Sequence, residues 1–385
     1  MRIKGNTCGG DLVEIEIHNQ RISSVQTLGD ADPAELFLSQ GFIDIQINGF
    51  AGVDFSSPDL TPEAAISVLP SLWRTGVTTF CPTLITNTLQ QLLANFRILE
   101  QARQLDVRFA RAVPCYHLEG PYLSPGSSHG AHDPALMRAP DWDEFTALQA
   151  AAGGRIGIVT LAPELPGALN FIHRARASGT IVAISHTDGS LDDVHRAAEA
   201  GASLATHLGN GCPIFIDRHR APFWAQLSDD RFAASIICDG FHLPPEVVQI
   251  IVRAKGIGRT ILVTDAVHVA GLPPGPYSLV GVPIALEPSG RVIRVGSDSM
   301  AGSSLSMNRA VVVFQDFAGV SLANALSAAT INPAKLLKHP DVCSGLLAGQ
   351  PANLLLFRPG PLSMDIKSAW LHGQSVFRGS DAVDR

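Results

Sequence analysis

A chain of 385 residues that is 46% hydrophobic and 16% charged buries a large core, which excludes disorder and fits about two domains or one barrel of roughly 250 residues with an accessory unit. The 28 Lys and Arg against 35 Asp and Glu leave a formal charge of −7. With no basic run to neutralise phosphates, a nucleic-acid partner is excluded.

The N-terminal stretch MRIKGNTCGGDL has no apolar signal region, and no run reaches the ~20 apolar residues of a membrane span. Cysteines 8, 81, 115, 212, 238 and 343 form no CxxC pair. The expectation is therefore a soluble cytoplasmic protein with reduced thiols and no membrane partner. Next, LVEIEIHNQRISSVQ alternates apolar and polar residues, the period of strands in an antiparallel sheet.

The pattern then changes to short apolar runs, each closed by a polar or glycine-rich break and followed by a helix-like segment. Eight occur in order: GFIDIQING, GVTTFCPTLIT, VPCYHLEGP, IGIVTLAPE, TIVAISHTD, SLATHLGNG, AASIICDGFH and TILVTDAV. Eight buried strands alternating with helices predict an α/β fold, a (β/α)8 TIM-like barrel. In one repeat, Ser190 can cap a helix and Gly201 can end it before SLATH begins the next strand. At the chain's end, ANLLLFRP and SAWLHGQSVFRG return to β-like patterning. The two terminal segments are expected to pair as a small β-sandwich domain, residues 1–40 with 345–385, beside a barrel of residues 41–344.

Four polar residues close buried runs: Glu119 in HLEGP, His186 in SHTD, His207 in THLGNG and Asp265 in VTDA. Singly, a strand-end histidine is more often a hydrogen-bonded structural residue, and Glu119 could accept from loop amides. Jointly, they converge on the rim where parallel barrels keep their chemistry. Two histidines and a carboxylate suit a catalytic zinc or iron. A facing carboxylate, Asp265, suits proton transfer. The reaction class that follows is metal-assisted hydrolysis of an amide or ester.

The ordered motifs HLEGP, TLAPE, SHTD, ATHL, DGFH, VTDA and AGSSLSM resemble those of N-acetylglucosamine-6-phosphate deacetylases in the amidohydrolase superfamily, from about Gly41 to Ala352. The resemblance implies Glu119, His186 and His207 as metal ligands and Asp265 as general acid/base. It implies that His132 in GAHDP touches the substrate carbonyl, with His129 a loop residue. His242 would bind substrate, Asn210 would lie near the sugar phosphate, and Gly211 would offer a main-chain amide. The segment Ser303 to Met307 would line the sugar pocket.

Where the wider superfamily often carries an HxH pair on its first barrel strand, this chain has Gln46 and Asn48. One divalent metal per chain is therefore expected, zinc, with ferrous iron accepted by the same ligands. The family's HLYNAM-like sequence and GRxPG-like turn read HLGNGCP and DRHRAPFW here. Arg220 stands two residues before Pro222, as the family's phosphate arginine would, with Arg218 the other candidate and a solvated basic loop the structural alternative.

The resemblance implies deacetylation of N-acetylglucosamine-6-phosphate to glucosamine-6-phosphate and acetate by a homodimer. A deacylase acting on another N-acyl sugar or small amide without a phosphate is the alternative within the superfamily. A barrel that only binds a ligand is the alternative outside it.

Overall fold

The computed structural model describes residues 1–279, 281–296 and 299–379. β1 (Arg2–Asn6), β2 (Asp11–His18) and β3 (Arg21–Asp30) form an antiparallel meander, and β4 (Phe37–Gln40) joins β1 in parallel. The alternation in the sequence reflects one buried face: Val13, Ile15 and Ile17 are buried on β2, whereas Glu14 and Glu16 are only partly so.

The chain then enters the barrel at β5 (Phe42–Ile47). A short ribbon follows, β6 (Gly49–Phe50) with β7 (Val53–Asp54). The other barrel strands are β8 (Val77–Ile85), β9 (Tyr116–Glu119), β10 (Ile156–Leu161), β11 (Ile181–Ile184), β12 (Leu204–Ala205), β13 (Ala233–Ile236) and β14 (Thr260–Leu262). These eight strands lie in the order β14-β13-β12-β11-β10-β9-β8-β5, and every neighbouring pair is parallel. A parallel bridge between Ile47 and Ala266 brings the two edges together. All eight apolar runs became these strands, and the fold is the expected TIM-like barrel.

The repeat around β11 and β12 shows how local chemistry sets the frame. Ser190 caps the helix Leu191–Ala200 in a reciprocal capping box with Asp193, and Gly201 ends it with φ of 117°. Only a residue without Cβ takes that left-handed position cheaply. The register aligns Ala183 with Leu204 and Ile184 with Ala205. His186 and His207 therefore leave neighbouring strands side by side.

After β14 the chain forms β15 (Gly275–Leu279), β16 (Val282–Leu286) and β17 (Val292–Arg294), an antiparallel sheet with no counterpart in the sequence reading. Its buried face packs Leu279, Ile284, Leu286 and Val292 against Val267 and Val269 of the barrel rim. The last strands, β18 (Leu354–Arg358), β19 (Asp365–Leu371) and β20 (Gln374–Arg378), return to the first sheet. β18 pairs antiparallel with β4, which completes one seven-stranded sheet from both terminal segments. Among the described residues, no helix is long and apolar enough to cross a membrane.

Candidate metal centre and active-site cavity

Three non-glycine residues just past barrel strands hold left-handed backbone: His186 (φ 48°), His207 (φ 33°) and Asp265 (φ 48°). This region is costly for a side chain and persists where surrounding structure enforces it, often at functional sites. The enforcing contacts are visible. The Asp265 N–H donates to the Gln46 carbonyl (3.0 Å), and the His207 N–H donates to Ser235 Oγ (2.8 Å). The effect is to turn the three side chains inward over the barrel mouth.

There Glu119, His186 and His207 are buried, and one ligating atom from each lies within 4.8 Å of the others. Glu119 Oε1 stands 2.8 Å from His207 Nε2 and 3.6 Å from His186 Nε2. The far ring nitrogens are held as well, His186 Nδ1 by the Ser128 carbonyl (2.8 Å) and His207 Nδ1 by Ser185 Oγ (3.3 Å). Such outer contacts aim Nε2 at a common point, the arrangement of histidines that bind a cation. Burial alone raises the Glu119 carboxyl, but hydrogen bonds to the two imidazoles outweigh it and hold the group well below the usual range. Burial lowers His207, whereas Glu119 more than reverses this and raises it. Two imidazoles and a buried carboxylate therefore fit a divalent cation, which would take the place of the shared protons.

Asp265 adjoins this cluster. Gln46 Nε2 bridges Glu119 Oε1 (3.0 Å) and Asp265 Oδ1 (3.2 Å), and Asn48 Nδ2 donates to the same Oδ1 (2.7 Å). Gln46 on β5 thus donates to both carboxylates, and Asn48, just past that strand, donates to Asp265 alone. Burial and then the Glu119 charge raise Asp265 to about 6.

A cavity of about 720 Å³ opens above these groups. Of the sequence candidates, Glu119, His186, His207, Asp265, His132, Asn210 and His242 line it together, as do Asn48 and His129. His132 is buried, with Nδ1 2.9 Å from Thr86 Oγ1, and burial followed by nearby His186 lowers it to about 3. It is therefore neutral near pH 7. His242 Nδ1 lies 2.6 Å from Asp239 Oδ2. Asn210 Nδ2 is buried on the cavity wall without a hydrogen-bond partner among the described residues.

Gly211 does not line the cavity but lies between Asn210 and Cys212, which do. A Cβ there would stand 1.8 Å from Ser185 Oγ and 2.7 Å from the His186 nitrogen, so only glycine permits this approach. Ser303 and Met307 are buried behind the wall: Ser303 Oγ donates to the Thr264 carbonyl, and Met307 starts the helix Met307–Ala318. Gly302 forms the wall at that point.

Arg220 and Arg218 are exposed outside the lining, and the Arg220 backbone N–H donates to Asp217 Oδ1 (2.8 Å). The same loop exposes Ile214 (85%) and Phe215 (94%).

The sequence reading missed the loop that closes one side. Asp188 accepts from Ser124 Oγ (2.7 Å) and Ser127 Oγ (2.8 Å), which pins the segment carrying Ser128 and His129 over His186. The serine-rich run SPGSSHG beside a buried histidine motif was the available signal.

A model of the amidohydrolase family matches residues 37–379, nearly the whole chain. The chain belongs to the amidohydrolase family. This amidohydrolase is 32% identical over 343 residues to an N-acetylgalactosamine-6-phosphate deacetylase of Escherichia coli O157:H7, covering 89% of this chain and 88% of the relative. It is 31% identical to an N-acetylglucosamine-6-phosphate deacetylase of Bacillus subtilis (strain 168), again covering 89% and 88%. Among solved structures it resembles the N-acetyl-D-glucosamine-6-phosphate deacetylase of Mycobacterium smegmatis in complex with N-acetyl-D-glucosamine-6-phosphate. The TM-score is 0.87 at 30% identity, over 98% of this chain and 99% of that one.

Proposed function

We propose that this amidohydrolase removes the acetyl group of N-acetylglucosamine-6-phosphate, giving glucosamine-6-phosphate and acetate. The observation that carries the reading is the buried Glu119, His186 and His207 cluster, which shares one cavity with Asp265, His132 and Asn210. Relatives named for this chemistry, matched over 88% or more of their length, support it. The Escherichia coli relative favours a second reading of the sugar, N-acetylgalactosamine-6-phosphate.

In this reading Glu119, His186 and His207 hold one divalent cation, zinc or alternatively ferrous iron, in a cytoplasmic homodimer. A cation held there would supply Lewis acidity, which would polarise the amide carbonyl and lower the pKa of water toward neutrality. His132, kept neutral by burial, donates a hydrogen bond to the carbonyl oxygen while Thr86 Oγ1 engages its other nitrogen. Asp265 takes the proton of the attacking water and passes it to the departing amine. Gln46 and Asn48 both bind its Oδ1, leaving Oδ2 for that transfer, and a value of about 6 keeps it a base at pH 7. Asn210 and His242 supply polar contacts to the sugar, and Gly211 lets the backbone beside them approach closely.

The test is an acetate-release assay with enzyme loaded with zinc or ferrous iron, offered N-acetylglucosamine-6-phosphate, its galacto epimer, and both sugars without phosphate. Efficient hydrolysis of a phosphorylated sugar is expected. Turnover confined to unphosphorylated amides would overturn the proposal.

A further inference from the structure

Beneath the metal centre the barrel interior carries a polar cluster, where TIM-like barrels usually stack branched apolar side chains. His117, Thr160 and Thr206 meet there, all three buried. His117 stands two residues before Glu119 on β9, so both side chains point to the same inner face. Its Nδ1 lies 3.1 Å from the Ile45 carbonyl of β5, and its Nε2 lies 2.7 Å from Thr160 Oγ1 of β10. Thr160 Oγ1 in turn lies 2.9 Å from Thr206 Oγ1, just past β12.

These contacts have a forced direction. Both partners of the ring are uncharged, and a buried imidazolium between them would be costly, so the ring is neutral. A carbonyl only accepts, so Nδ1 carries the proton and Nε2 accepts from the Thr160 hydroxyl. Thr160 thereby commits its hydrogen to His117 and accepts from Thr206.

The relay ends on the chain beside the metal-centre residues. Ile45 directly precedes Gln46, and Thr206 directly precedes His207. His207 holds left-handed backbone, with φ of 33°, which its neighbours must enforce. Ser235 Oγ takes the His207 N–H (2.8 Å). On the preceding residue, the Thr206 N–H donates to the Ile184 carbonyl (3.2 Å) while its hydroxyl donates to Thr160. Valine at 160 or 206 would fill the same space without polar atoms, so the hydroxyls contribute direction rather than volume.

We infer that His117 is a positioning residue for the metal: it fixes His207 through Thr160 and Thr206, and Glu119 through its own strand, at the spacing a divalent cation requires. This rests on the metal-dependent reading above. His117 lies outside the cavity lining, so it acts through the ligands rather than on the substrate.

The experiment measures three quantities: zinc affinity against a competing chelator, the visible spectrum of cobalt-loaded protein, and the Tm of metal-free protein. The variants are His117→Gln, His117→Asn, Thr206→Val and the double variant His117→Asn with Thr206→Val. Glutamine can place an acceptor where Nε2 stands, whereas asparagine replaces only the donor at Nδ1. His117→Asn and Thr206→Val should each weaken zinc binding about 10- to 100-fold and shift the cobalt bands. His117→Gln should recover most of the affinity, although both His117 changes lower the metal-free Tm. The double variant should lose no more than the weaker-binding single variant, because both break one relay. Unchanged zinc affinity and cobalt bands with only a lowered Tm would mark a structural role and overturn the inference. Additive losses would overturn it too, as would equal affinities in His117→Gln and His117→Asn. Thr206→Val exchanges a hydroxyl for a methyl group, so its zinc affinity decides the question even if the His117 variants do not fold. An unmodified protein that binds no zinc removes the metal reading itself, a failure visible before any variant is tested.

Discussion

The two ends of the cavity are built differently. At the metal end, Glu119, His186, His207 and Asp265 are buried, the backbones of the last three are held in a costly conformation, and both nitrogens of His186 and of His207 have partners. At the mouth, Ile214 and Phe215 are almost fully exposed, Arg294 has no partner among the described residues, and Asn210 has a buried donor without an acceptor. Chemistry is over-determined, so a single defect is expected to be costly. In the proposed function, recognition rests on a few groups whose partners belong to the substrate.

The contrast breaks first at the ligands. His207→Ala should lose the metal and, with it, on the order of 10³-fold or more in kcat. Elemental analysis checks this, with one equivalent per chain expected for the unmodified protein; two equivalents would contradict the role of Gln46 and Asn48 as donors. Asp265→Asn should keep the metal while kcat falls about 10²- to 10⁴-fold. Near-normal turnover in that variant would remove its part in proton transfer.

Gly211→Ala tests whether the two ends are coupled. Its Cβ would press on Ser185 Oγ and the His186 nitrogen, so metal affinity measured against a competing chelator should weaken by about 10- to 100-fold. Phe215→Ser, at the solvated tip of the same loop, should leave metal affinity where it was, because nothing there reaches the ligands.

The smallest effect is expected deeper in the barrel, at Asp44. Burial raises this carboxyl from 3.8 to about 7 despite hydrogen bonds from Thr264. Between those values the folded protein holds a proton that the unfolded chain releases, so this group's contribution to stability falls as pH rises from about 4 to about 7. The Tm advantage of the unmodified protein over Asp44→Asn should therefore shrink across that interval. An advantage that grows with pH would reverse the assignment.

The barrel was legible because its strands are apolar runs ended by polar breaks, and parallel barrels put those breaks on one rim. For the same reason Glu119, His186, His207 and Asp265 could be brought together on paper. What escaped depends on how loops dock. β15 to β17 are short, rich in Pro and Gly, and packed through a few residues, so no long period announces them. Arg220 matched a motif in sequence, yet distance along a loop does not specify where its side chain ends up. Ser303 and Met307 matched too, but they support the wall from behind, with Gly302 on its surface.

The pairing of β4 with β18 has a consequence for the order of events during synthesis. Gln40 lies opposite Leu354, so β1 to β4 leave the ribosome long before the strand that completes their sheet exists. Until then the β4 edge displays unpaired amides and carbonyls that invite pairing with another chain. The growing polypeptide must build the entire barrel while carrying that open edge, a contact of long sequence separation that slows closure. Nascent chains stalled before β18 should accordingly be more prone to aggregate than those stalled after it, even with Glu119, His186 and His207 already translated.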